Sequence, residues 1–116
     1  MTNGQSDRWY RAAATSDIED DDVLGVIVGD YGQHEIAVYK IGGAYFATGD
    51  RCTHQRARLS DGLVIDDCIE CPLHQGRFHI ATGRAKSRPV SIPLQTYPTR
   101  IEEDAVFVLI AEPDAA

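Results

Sequence analysis

Long apolar runs are missing from this chain of 116 residues. No segment approaches the roughly 20 apolar residues that a bilayer-spanning helix needs. Met1 to Asp7 is polar and lacks an apolar run, so no secretory signal is expected there. Positive charge is in deficit, with 11 Lys and Arg against 18 Asp and Glu and a formal net charge of −7. That balance argues against nucleic acid as a partner, because a phosphate backbone attracts basic surfaces. The sequence also lacks a nucleotide-binding glycine loop, a nucleophile with a base, an internal repeat, a low-complexity linker and any convincing long helix. At this length one domain with a modest core is expected, without room for a separate substrate domain.

Short strands punctuated by glycine turns fill most of the chain. Trp9 to Ala13 reads as a first strand, and Ser16 to Glu19 as a turn capped by Ser16. Val23 to Val28 is apolar and β-branched, and it ends at the turn-rich Gly29 to Gly32. His34 to Ile41 alternates, with Glu35, Ala37 and Tyr39 on one face and Ile36, Val38 and Lys40 on the other. Gly42-Gly43 predicts a tight hairpin into Ala44 to Thr48. Leu63 to Ile65 and Cys68 to Glu70 read as short strands around Asp66-Asp67, followed by Arg77 to Ile80. Pro89 and Pro93 make Ser87 to Pro93 an extended connection. Gln95 to Ile101 and Ala105 to Ile110 close the fold as a hairpin, and Ala111 to Ala116 reads as a frayed tail. The fold class is therefore all-β, an antiparallel sandwich or small barrel.

Chemistry concentrates between Arg51 and His79. Cys52 and His54 are separated by one residue, Cys71 and His74 by two, with enough chain between for a hairpin that brings the two loops face to face. Two thiolates and two imidazoles make a soft metal site, and both zinc and a [2Fe–2S] cluster remain open on donor type alone. Structural zinc sites usually keep Cys with Cys and His with His, two to four residues apart. Here each loop offers one of each, which suits a binuclear iron centre. The third cysteine, Cys68, stands three residues before Cys71 and reads as a strand residue with its thiol packed inside. His34 and His79 lack the loop context of a ligand, and Trp9 reads as core.

Cys52-Thr53-His54 followed by Cys71-Pro72-Leu73-His74 resembles the Rieske signature. Ala57, Leu59, Ser60 and Gly62 after the first loop, and Phe78, Thr82 and Gly83 after the second, are similar to soluble Rieske ferredoxins. The likeness is strongest from about Thr48 to Ala85. It implies an antiparallel β-sandwich framework, about residues 8–47 and 87–111, with an inserted cluster-binding subdomain at about 48–86. It also implies that Cys52 and Cys71 hold one iron and His54 and His74 the other, with the histidine iron at an exposed tip. Pro72 would stiffen the second loop. A stand-alone carrier of this kind takes electrons from an NAD(P)H-dependent flavoprotein reductase and passes them to a terminal oxygenase acting on aromatic compounds, without catalytic activity of its own. Such a shuttle is expected to be a cytoplasmic monomer, with no membrane or nucleic-acid partner. A Rieske subunit of a larger oxidoreductase, such as a nitrite reductase or an arsenite oxidase, and a structural zinc module are the alternatives.

Departures from the high-potential branch of the family carry information. The positions that a disulfide joins there match Ala57 and Leu73, and those that bring serine and tyrosine hydroxyls to the cluster match Gly76 and Phe78. With those donors gone, a low-end potential on the order of −150 mV is expected. Arg51, Arg56, Arg58, Arg77, Arg84, Lys86 and Arg88 flank the loops, whereas acidic runs lie at Asp17 to Asp22 and Glu102 to Asp104. For these arginines a docking role and ordinary solvated surface both stay open.

Overall fold

The computed structural model describes residues 5–53, 56–73, 75–87 and 92–113. Among the described residues the strands are β1 (Gln5–Ala14), β2 (Asp22–Val28), β3 (His34–Ile41), β4 (Ala44–Gly49), β5 (Leu63–Ile65), β6 (Cys68–Glu70), β7 (Arg77–His79), β8 (Thr96–Tyr97), β9 (Thr99–Glu102) and β10 (Ala105–Pro113). They form three antiparallel sheets, ordered β1-β10-β9, β2-β3-β4-β8 and β5-β6-β7. The all-β expectation holds.

Strand β3 is the wall between two cores. Ile36, Ala37, Val38 and Tyr39 are all fully buried, although side chains alternate along a strand. Ile36 and Val38 join Ala13, Ala47, Val106 and Val108 in a core shared with the β1-β10-β9 sheet. Ala37 and Tyr39 join Leu59, Ile69, Phe78 and Leu94 in a second core shared with the β5-β6-β7 sheet. The alternation predicted for His34 to Ile41 is therefore real, but both faces are covered. The sole polar tip in this wall, the Tyr39 hydroxyl, bonds Thr48 Oγ1 at 2.8 Å, and burial pushes the phenol well above its ordinary range.

The predicted turns around these strands are found where expected. Gly42 and Gly43 take φ of 57° and 82°, the double positive φ that a two-residue hairpin needs. Glu103 and Asp104 do the same at 49° and 62° in the β9–β10 turn.

Several boundaries differ from the sequence expectation. Strand β1 begins at Gln5 rather than Trp9, because Gln5, Ser6 and Asp7 pair with Pro113, Glu112 and Ala111. The same ladder makes Ala111–Pro113 strand rather than frayed tail. Backbone pairing supplies these hydrogen bonds whatever the side chains are. Gln95 to Ile101 is not one strand: Pro98 interrupts it, β8 pairs with β4, and β9 pairs with β10. Proline has no N–H for a ladder, so the chain changes sheets there. Ser16 does not cap the 3-10 turn Thr15–Asp17; Asp17 does, accepting from Ala14 N–H at 3.0 Å. Trp9 is outside both cores, half-buried beneath the Arg100 guanidinium 4.3 Å from its ring centroid.

A polar clamp ties β10 to the start of β3. Glu112 accepts from Tyr10 Oη at 2.9 Å and meets the His34 ring. The Tyr10 hydroxyl first, and His34 after it, hold the Glu112 carboxyl below its ordinary range. A depressed carboxyl stabilises the fold above the unfolded value of 4.5, and that contribution is lost as pH falls below it. The melting-temperature gap between wild type and Glu112→Gln is therefore expected to shrink as pH is lowered through this range, followed by circular dichroism; a constant gap would contradict the clamp.

Candidate metal centre

Two loops leave the second core with one backbone design. At the first, Cys52 N–H donates to Ala57 O at 3.0 Å; at the second, Cys71 N–H donates to Gly76 O at 2.7 Å. Each cysteine thus closes a six-residue loop onto itself. The first loop has a stem in which Asp50 N–H donates to Glu35 O on β3 at 3.0 Å, Leu59 N–H donates to Asp50 O at 2.6 Å, and Arg51 bridges Arg58. The second grows from the last pair of β6 and β7, Glu70 with Arg77.

Both cysteines point into the second core, Cys52 at 5% exposure and Cys71 at 1%, and neither is in a disulfide. Burial pushes the Cys71 thiol up to about 11, opposed by the Leu73 N–H and reinforced by the Cys52 side chain that it meets. A bound cation reverses this preference, because it takes the place of the protons on the sulfurs. The site fits a thiophilic metal group: two sulfurs kept dry, side by side, with a backbone N–H aimed at one of them.

His54 and His74 lie outside the described residues, as do Gln55, Arg88 and Pro89. Among the described residues no three His, Cys, Asp or Glu side chains gather to hold a metal.

The remaining candidates have other partners. Cys68 is on the outer face of β6, partly exposed, with its thiol 3.5 Å from Asp67 Oδ1; it is not packed inside as the sequence suggested. Strand alternation explains this, since Ile69 takes the inward position. His79 is satisfied by Thr82 Oγ1 at 2.9 Å and Asp67 Oδ2 at 3.2 Å. Phe78 is fully buried opposite Ile69, and Leu73 is 47% exposed beside Pro72.

Sequence reasoning missed three supports of the loops. Thr53 Oγ1 donates to Ile92 O at 2.6 Å, and Leu94 enters the core beside both cysteines. The sign of this was an apolar residue between two prolines, read only as a stiff connection. The third support is Gly62, where a Cβ would stand 2.0 Å from Glu70 O, the carbonyl just before Cys71. Only the absence of a side chain lets the 3-10 turn Leu59–Asp61 lie flat against the stem of the second loop.

Charge is distributed along the strand direction. Thr15 N–H donates to Asp104 O at 2.8 Å, bringing the two acidic runs together at the end where Asp22 pairs with Lys40. Strand β4 runs from that end to the one where Gly49 pairs with Ile36 and the first loop departs. Arg56, Arg58, Arg84 and Lys86 are exposed around the loops, while Arg51 and Arg77 engage Glu35 at 3.2 Å and Glu70 at 3.5 Å.

The family model for the Rieske [2Fe–2S] domain matches residues 8–98. The ferredoxin component of the naphthalene 1,2-dioxygenase system of Pseudomonas putida is 46% identical over 101 residues, covering 87% of this chain and 94% of that protein. The ferredoxin subunit of anthranilate 1,2-dioxygenase from Burkholderia cepacia is 41% identical over 108 residues, covering 93% and 97%. Among solved structures, one from the complex of reduced oxygenase and oxidized ferredoxin in carbazole 1,9a-dioxygenase superposes with a TM-score of 0.78 at 37% identity, covering 86% of this chain and 91% of that one.

Gly62→Ala is expected to destabilise the protein by about 1–3 kcal/mol, as overpacking does, and to lower the iron bound per chain. Chemical denaturation and iron analysis check this, and an unchanged protein would contradict the close approach.

Proposed function

The chain belongs to the Rieske [2Fe–2S] domain family, and from that premise we propose that it is a one-electron carrier between a flavoprotein reductase and a terminal oxygenase. The observation that supports it most is the pair of matched loops, each closed by its own cysteine N–H, that set Cys52 and Cys71 side by side in one dry core. Family membership decides for iron and against the zinc module. We assign Cys52 and Cys71 to one iron and His54 and His74 to the other, in a cluster-binding subdomain of about residues 48–86 within a single domain. When bound, the cluster takes up one electron and gives it back.

The protein's own part is to tune and deliver that electron. Leu59, Ile69, Phe78 and Leu94 exclude water around the thiolates, which strengthens electrostatic interactions there. The Leu73 N–H, directed at the Cys71 sulfur, stabilises negative charge and so favours the reduced form. Gly76 and Phe78 offer no hydroxyl to add to it. Two neutral imidazoles in place of two thiolates raise the potential above that of a four-cysteine ferredoxin, and the missing hydroxyls keep it at the low end of the Rieske range.

Partners follow from the same reading. The curated relatives are ferredoxin components of aromatic dioxygenase systems, and the carbazole structure is a complex of ferredoxin with oxygenase. We infer an aromatic-hydroxylating oxygenase as acceptor and an NAD(P)H-dependent reductase as donor, with the carrier acting as a cytoplasmic monomer. Among the described residues no helix is long and apolar enough to cross a membrane. The exposed arginines near the loops would steer the encounter.

Redox titration of the purified protein is expected to give a midpoint on the order of −150 mV, and a value well above zero would contradict the assignment of missing donors. Cys71→Ala is expected to lose iron and sulfide entirely; full retention would sink the ligand set. Arg56→Glu is expected to slow electron transfer to the oxygenase several-fold at low salt while leaving the visible spectrum intact; equal rates at all salt concentrations would remove the steering role.

A further inference from the structure

Asp50 is a buried carboxylate that the ligand set does not use. It is 4% exposed, two residues before Cys52, at the floor of an open groove of about 530 Å³ along β2. Both carboxylate oxygens are occupied by one residue: Ser60 N–H donates to Oδ1 at 2.8 Å and Ser60 Oγ–H to Oδ2 at 2.8 Å. Ser60 belongs to the 3-10 turn Leu59–Asp61 that follows the first loop, so the carboxylate closes the stem sideways, beside the Arg51–Arg58 bridge. The framework makes room for this clasp. At Gly25 on β2, a Cβ would stand 2.5 Å from Ser60 Oγ and 3.0 Å from Asp50 Oδ2. Arg58 and Glu35 are the charged neighbours whose fields reach the carboxylate, with opposite signs.

We propose that Asp50 is a positioning residue of the metal centre, whose clasp on Ser60 fixes the first ligand loop and whose negative charge holds the cluster's potential down. The inference rests on the cluster reading above and deepens it. The physical reason is direct. Reduction adds an electron to the centre, and a fixed negative charge nearby, shielded from water, opposes that addition. Serine supplies two donors, one from its short side chain and one from its own backbone, so the carboxylate is oriented and kept in place with no lysine or arginine bound to it among the described residues. Gly62, two residues further on, lies against the second loop's stem, so the segment clasped by Asp50 also touches the other half of the site.

Two variants separate charge from geometry. Asp50→Asn keeps an acceptor for Ser60 N–H and a group that bonds Ser60 Oγ, but removes the charge. Ser60→Ala keeps the charge and removes one donor. Redox titration at pH 8 monitored by electron paramagnetic resonance is expected to show Asp50→Asn with unchanged g values and at least about threefold more reduced protein at a fixed solution potential. Ser60→Ala is expected not to shift upward, and to lose iron to a chelator several-fold faster than wild type. A midpoint unchanged in Asp50→Asn overturns the proposal, as does an equal upward shift in both variants, which a general loosening would produce. If Asp50→Asn yields no folded protein, chelator loss from Ser60→Ala decides, and a wild-type rate overturns the proposal. A wild-type protein lacking iron and sulfide would instead sink the cluster reading, and this inference with it.

Discussion

Strand β3 leaves no face for water, because Ile36 and Val38 enter one core while Ala37 and Tyr39 enter the other. Everything else in the molecule is arranged around that double burial. The β1-β10-β9 sheet covers one side and gives the framework its bulk. On the other side, a sheet of three strands, each three residues long, is held against the same wall through Leu59, Ile69 and Phe78. The two cysteine-bearing loops stand at the margin of this second core, and their sulfurs are dry because β3 is.

Electrostatics follows from the same placement. Burial pushes the Cys71 thiol up, and a bound cation would take the place of the protons on the sulfurs. Among the described residues the donor that reaches the sulfurs is the Leu73 N–H, and Gly76 and Phe78 carry no hydroxyl. The surface charge is polarised in turn. The two acidic runs are brought together near the end where Asp22 pairs with Lys40, and exposed arginines and a lysine surround the loops that leave the other end. Charge arranged in this way orients an encounter with a charged partner.

The hairpin turns, the all-β class and the approach of Cys52 to Cys71 were legible because each has a local signature: paired glycines, β-branched runs, two short loops of similar spacing. The predicted strands β5, β6 and β7 fell where Asp66-Asp67 and Cys71 bounded them. What the sequence hid was non-local. Nothing in Gln5-Ser6-Asp7 announces a strand until Glu112 and its neighbours arrive from more than 100 residues away to pair with it. Pro98 splits a strand between two sheets, a choice made by partners distant in sequence. Trp9 looked like core because it is large and apolar, yet Arg100 covers it on the outer face. The burial of Asp50 is visible only with Ser60 and Gly25 placed beside it.

The central claim is that one iron is held by sulfur and the other by imidazole nitrogen. Pulsed electron paramagnetic resonance of the dithionite-reduced protein tests it most directly, because nitrogen coupled to the unpaired electron is read from the spectrum itself. The account predicts one mixed-valence iron pair per chain with two nitrogen couplings, one lost on changing His54 and the other on changing His74. A fully loaded centre without nitrogen coupling, or with both couplings intact in those variants, would contradict it.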